Sequence, residues 1–231
     1  MTLIIKTFIV LVVLLYCNTV QATDDYDDTI TNNTSVSVSS SVNCSQAPCL
    51  TVQTSLQSLS QALNKGSDYK KLVKLIRLYI LNNFDFMMIV KYSLGEYNST
   101  ISDAKKQEIA KLFKEMLISA YTNQLYKFNH TKIKIVHSNI DDDNPNIASV
   151  ICSVKFNNQT SAVTVEYLLN KSKNGWKIYD VTIDDISVLS SFRIVFENVI
   201  SSEGVEGLIM LLHSNELAEQ IDQTINNHPD I

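Results

Sequence analysis

Asp180 is the residue in this chain best suited to acid–base chemistry. It stands in Trp176-Lys177-Ile178-Tyr179-Asp180-Val181, where aromatic and β-branched residues alternate as in a strand. On that strand Trp176 and Ile178 share the face of Asp180, and Tyr179, Val181 and Ile183 point the other way. A carboxylate facing an apolar hollow has a raised pKa and can serve as a base. The alternative is a carboxylate at a strand end, hydrogen-bonded to backbone or to a cation such as Arg193. Arg193 interrupts an apolar helix. It either binds an anionic head group or pairs with Asp180 or Asp184.

Other chemistries find little footing. The histidines, His130, His137, His213 and His228, include no i, i+4 pair, and neither HExxH nor CxxC occurs, so no metal site is expected. Asp141-Asp142-Asp143 lacks the spacing and the later Glu of a calcium loop and reads as a hairpin turn. GxSxG, GxGxxG and GxxxxGK[ST] are all absent. The net charge is −5, with 24 acidic residues against 19 basic ones and no long basic run, which argues against nucleic acid as a partner. We expect no catalytic residue, no metal and no cofactor.

The elements that position Asp180 and Arg193 follow from periodicity. At Asp184-Asp185 the period of two gives way to helical spacing, with Val188, Phe192, Val195, Phe196 and Val199 on one stripe. Asp184, Asp185 or Ser187 is available as N-cap. A helix leaving a strand over so short a turn folds back across the sheet or lies along its edge, and the two enclose a greasy space. Strands are predicted over Lys132–Ser138, Ile147–Phe156, Ala162–Leu169 and Trp176–Ile183, joined by short polar links that imply an antiparallel meander. Upstream, Val52, Leu56, Leu59 and Leu63 mark one helix ended by Gly66. A second is capped by Ser67-Asp68, and a third runs from about Phe84 to Ser93. Ser102-Asp103 starts a long helix with Ile109, Leu112, Phe113, Met116, Leu117, Ala120 and Tyr121 inward. Two more helices follow Val199, one on Val205, Leu208, Ile209 and Leu212, the other on Leu217 and Ile221. The fold class is α+β: a four-stranded antiparallel meander packed against N- and C-terminal helices around an apolar cavity, an NTF2-like layer with a helical annex.

The N-terminus carries Lys6, then an apolar run from Phe8 to Leu15, then Val20-Gln21-Ala22. That is the layout of a cleaved secretory signal peptide over 1–22, with a retained anchor as the alternative. Residues 23–50 hold Asp24, Asp25, Asp27 and Asp28, then Thr, Asn, Ser and Val, and read as a disordered leader. The acidic run is either a docking tail or a solvated spacer. Residues 51–226 form the folded domain and 227–231 a polar tail. In an oxidising compartment Cys44 and Cys49 either pair or remain free, and Cys152 reads as a buried small hydrophobe.

Two stretches together resemble a known family. One is Phe84-Asp85-Phe86 with Leu94-Gly95 ten residues on, leading to Leu117-Ile118-Ser119-Ala120-Tyr121. The other is Trp176-Lys177-Ile178-Tyr179-Asp180-Val181, then Ile183-Asp184-Asp185-Ile186-Ser187-Val188-Leu189 and Phe192-Arg193. The chain is similar over about 52–215 to the MlaC family, the toluene-tolerance periplasmic proteins. Asp185 stands where that family usually has Gly, and Glu96-Tyr97 where it has a basic residue and Trp. The resemblance implies a periplasmic phospholipid carrier of a Gram-negative cell that maintains outer-membrane lipid asymmetry. Its implied partners are an outer-membrane lipoprotein–porin complex and an inner-membrane ABC transporter bearing an MCE-domain subunit. Acyl chains would lie between a curved sheet and helices, with the head group exposed.

The residues support the same reading. A lipid with roughly 30 methylenes would lose on the order of 25 kcal/mol crossing water bare, at about 0.8 kcal/mol per methylene. A carrier needs a pocket as apolar as a bilayer and no chemical step. Its walls are expected from Phe86, Met87, Val90, Leu117, Tyr121, Val165, Tyr167, Trp176, Ile178, Val188, Phe192 and Phe196, with Arg193 as head-group candidate and a monomeric chain. The alternatives are an NTF2-like isomerase using Asp180 and a structural envelope protein with a filled core.

Overall fold

The computed structural model describes residues 35–65, 69–77, 81–122, 131–156 and 161–214, with residues 69, 71, 72 and 119–122 described by backbone alone. The signal peptide, the acidic run, Gly66, the Ser67-Asp68 cap, the helix on Leu217 and Ile221 and the polar tail lie outside these residues.

The fold is α+β, as expected, but the sheet has six strands rather than four. They are β1 (Val36–Ser40), β2 (Thr131–Ile140), β3 (Ile147–Lys155), β4 (Val163–Ser172), β5 (Gly175–Ile183) and β6 (Ile186–Ser187), neighbours in that order. β2 to β5 form the predicted antiparallel meander. Along β3 the even-numbered residues 148–154 and along β4 the odd-numbered residues 163–169 are buried, so one face of the sheet is core.

β1 corrects the reading of a disordered leader over 36–50, while residues 23–34 lie outside the described residues. It pairs in parallel with β2, Val36 beside Thr131 through Ser40 beside Ile135. Five residues with Val alternating against Ser carry little pattern. What holds them is remote: the Val36 N–H donates to Asn64 Oδ1 at 2.7 Å, and its carbonyl accepts from Asn64 Nδ2 and from Ser60 Oγ. Both groups sit on α1 (Ala47–Asn64), which opens with Pro48 in its first turn and so starts before the predicted boundary at 51. The Cys44–Cys49 disulfide joins the turn between β1 and α1.

Among the described residues four more α-helices follow: α2 (Tyr69–Leu75), α3 (Phe86–Ser93), α4 (Asp103–Thr122) and α5 (Val188–His213). α1 packs on β1, β2, β3 and β5, while α3, α4 and α5 pack on one another and α3 and α5 reach β5. An Arg77–Glu115 ion pair ties the end of the α2 segment to α4. α5 is broken at Gly204, whose φ of 72° and ψ of −176° suit glycine alone, and the break separates the two helices that the periodicity predicts on either side.

β5 departs from simple alternation. Leu169 faces Ile178 and Leu168 faces Asp180, so Tyr179 is the extra residue of a bulge. The bulge shifts the phase by one. Trp176, Ile178, Val181 and Ile183 are therefore all buried, where an unbroken strand would send Val181 and Ile183 to the opposite face.

Candidate functional site

The junction of β5 and α5 is built from short-range polar contacts. Asp184 and Asp185 both have positive φ, 43° and 71°, as a tight turn between strands requires. Aspartate tolerates that region better than bulkier residues do. Glycine would adopt it freely. Of the three candidate caps, Ser187 is the one used: its Oγ accepts the Ser190 N–H at 3.0 Å.

Asp180 is buried and its oxygens are occupied. Oδ1 accepts the N–H groups of Val181 at 2.7 Å and Leu189 at 3.0 Å, and Oδ2 accepts the Ser187 hydroxyl at 2.7 Å. Burial raises its pKa, and the three donors pull it back without cancelling the rise. This is the backbone-bonded alternative of the two readings. The carboxylate closes the first turn of α5, where negative charge is favoured.

Arg193 pairs with neither Asp180 nor Asp184. Its Nε donates to Glu197 Oε1 at 2.8 Å, one turn along α5. The pair lies over Gly95, which has φ of 53°. A Cβ there would fall 1.8 Å from the Glu197 carboxylate oxygen and 3.0 Å from Arg193 Nε. The Leu94-Gly95 dipeptide thus has two physical reasons for its glycine.

The expected pocket walls fall into two sets. Val165, Tyr167, Trp176 and Ile178 are buried on the inner face of β4 and β5; Val90, Leu117, Val188, Phe192 and Phe196 are buried in the helix layer. Phe86 is half-buried, Met87 is 43% exposed, and the Tyr121 side chain lies outside the described residues. Phe113 joins the helix set although only its helical stripe marked it as core. Its ring meets Phe192 edge-on at 4.6 Å, Phe196 at 5.9 Å and Phe86 at 6.2 Å. Burial pushes the Cys152 thiol up to about 12, so it packs as an inert hydrophobe. Burial likewise holds the Tyr167 phenol well above its ordinary value.

Phe86 and Met87 do not sit with the buried walls. They line an open groove of about 350 Å³ with Leu81 and Phe84, between the start of α3 and the β4–β5 turn. Lys114 and Lys177 also line it, the Lys114 ammonium lying 5.7 Å from the centre of the Phe86 ring. The periodicity of α4 assigns Lys114 to a solvated face and gives no sign of this contact. Asp85 anchors the groove's floor, capping α3 through the Met88 N–H and accepting from Asn170 Nδ2.

No curated protein matches the chain in sequence at a significant level. Among solved structures it is similar to a phospholipid-binding protein from Ralstonia solanacearum in complex with a phospholipid, at 25% identity and a TM-score of 0.61, over 76% of this chain and 97% of that one. The family described as MlaC protein matches residues 51–214. The chain belongs to the MlaC family.

Proposed function

We propose that this protein is a periplasmic phospholipid carrier that moves lipid between the outer and inner membranes. The observation that carries the reading is the match to a phospholipid-bound structure over nearly that protein's whole length. The fold supports it with an inner sheet face of Val165, Tyr167, Trp176 and Ile178 turned toward a helix layer rich in phenylalanine. Acyl chains would lie between these two surfaces, walled by the residues named above and Tyr121. The head group would remain outside, with Arg193 as its candidate contact. Transfer then requires no reaction, only exchange of one apolar surround for another.

Localisation and partners belong to the same proposal. A Cys44–Cys49 disulfide fits an oxidising compartment reached through the predicted signal peptide. Among the described residues no helix is long and apolar enough to cross a membrane. The partners would be an inner-membrane ABC transporter with an MCE-domain subunit and an outer-membrane lipoprotein–porin complex, met by a monomer with phospholipid as its cargo. The reading without a chemical step is supported by the backbone and Ser187 donors that engage both carboxylate oxygens of Asp180.

Native mass spectrometry of the detergent-free mature protein tests the reading. One phospholipid per chain is expected, exchangeable with labelled lipid in vesicles. A protein that purifies empty and takes up none would overturn it. Asp180→Asn should keep its lipid.

A further inference from the structure

The outer face of the sheet carries an uncompensated basic patch beside the point where the chain enters the fold. Lys132 and Lys134 on β2 and Lys155 on β3 are all exposed. Lys132 and Lys155 are direct cross-strand partners, an arrangement that repels. Among the described residues none of the three has an ion-pair partner. The outward acids of the sheet do not pair with them. Glu166 on β4 faces Ile151, and Asp184 accepts the Thr164 N–H.

β1 brings the chain to this patch. Ser37 pairs with Lys132 and Ser39 with Lys134, so the residues preceding Val36 leave the sheet at the end that bears Lys132 and Lys155. Eight positions before Val36 ends the run Asp24-Asp25-Tyr26-Asp27-Asp28, four carboxylates with no basic residue among them. We propose that this acidic run docks in cis on the Lys132–Lys134–Lys155 face.

Reach and charge both favour that occupant. Lys132 lies about 5 Å and Lys155 about 10 Å from the β1 axis, one and two strand spacings. A random coil of eight residues has a root-mean-square span of about 16 Å. A span longer than both separations lets the acidic run reach the lysines at roughly millimolar effective concentration. The attraction acts within a Debye length of about 8 Å at physiological salt, so the contact weakens as salt rises. Docked, the run neutralises a face that would otherwise present three bare ammonium groups to anionic surfaces.

A nitroxide at Thr29→Cys in the mature chain reads the contact, since Cys44 and Cys49 are paired and Cys152 is buried. Broadening of the amides of residues 132–134 and 153–155 should fall at least twofold between 20 and 500 mM salt, an about fivefold shortening of screening. It should fall as far in K132Q/K134Q/K155Q and in D24N/D25N/D27N/D28N. The second set lies outside the described fold and guards against a lysine variant that folds poorly. Broadening unchanged by salt and by both sets would show a mere tether and overturn the proposal. Vesicles of equal phosphatidylglycerol and phosphatidylethanolamine give the other arm. The four-Asn chain should bind them more tightly than the parent. Equal binding by both, abolished in the lysine variant, would make the membrane the occupant and overturn docking in cis.

Discussion

At one corner of the sheet, β5 turns into α5 and the joint is closed by its own sequence neighbours: Asp180 reaches Ser187 and Leu189, seven and nine positions on. At the opposite edge β1 starts beside the end of α1, where the Val36 backbone is held by Ser60 and Asn64, 24 and 28 positions away. The first corner uses an ionisable, buried acceptor with three donors; the second uses neutral amide and hydroxyl bonds plus a disulfide. Both solve one problem, satisfying backbone polar groups where a strand meets a helix. They differ in strength and in how far along the chain the solution is written.

The comparison is most sharply tested by removing each anchor. Asp180→Ala leaves the Leu189 N–H and the Ser187 hydroxyl without their acceptor at a buried site, and should cost about 3 kcal/mol. Urea denaturation reads the loss, and a cost below about 1 kcal/mol would mean water replaces the carboxylate. Cys44→Ser with Cys49→Ser opens a loop spanning five positions, for which chain entropy gives about 2 kcal/mol. No change in the unfolding midpoint would show that Asn64 and Ser60 hold the corner unaided. Asn64→Ala deprives the Val36 N–H of its acceptor while Ser60 still serves the carbonyl, and should cost about 1 kcal/mol. A cost above that of Asp180→Ala would invert the ranking of the two corners.

How much of each corner was legible in the sequence follows from the same difference. The strands from Lys132 to Ile183 and the stripe from Ile109 to Leu117 announce themselves by local period, and the helix after Asp185 does too. β1 does not, because the groups that hold it are remote: β2, which it pairs with, and Ser60 and Asn64 on α1. The bulge at Tyr179 was hidden for another reason. A one-residue phase shift leaves the composition of β5 unchanged and shows only against the register of β4. The burial of Val165, Tyr167, Phe192 and Phe196 was readable from periodicity. The Lys114–Phe86 contact and the Arg193–Glu197 pair over Gly95 needed a third dimension.

The smallest expected effect separates the two corners by charge. Burial raises the folded-state pKa of Asp180 above its ordinary 3.8, with Glu166 adding to the rise and the Ser187, Leu189 and Val181 donors opposing it. Between the ordinary and the raised value the folded chain holds more proton than the unfolded one, so stability falls as pH increases. The contribution is fully present below the ordinary value and is lost as pH climbs through the raised one. Asp180→Asn cannot titrate there, while every other carboxyl remains common to both chains. The stability of the parent minus that of the Asn variant should therefore decline with pH across this window and run flat above it. Asn64→Ala subtracted from the parent should show no such slope, since neither residue ionises. A difference for Asp180 that instead grows with pH would mean the three donors outweigh burial. The corner would then be held by the charge rather than in spite of it.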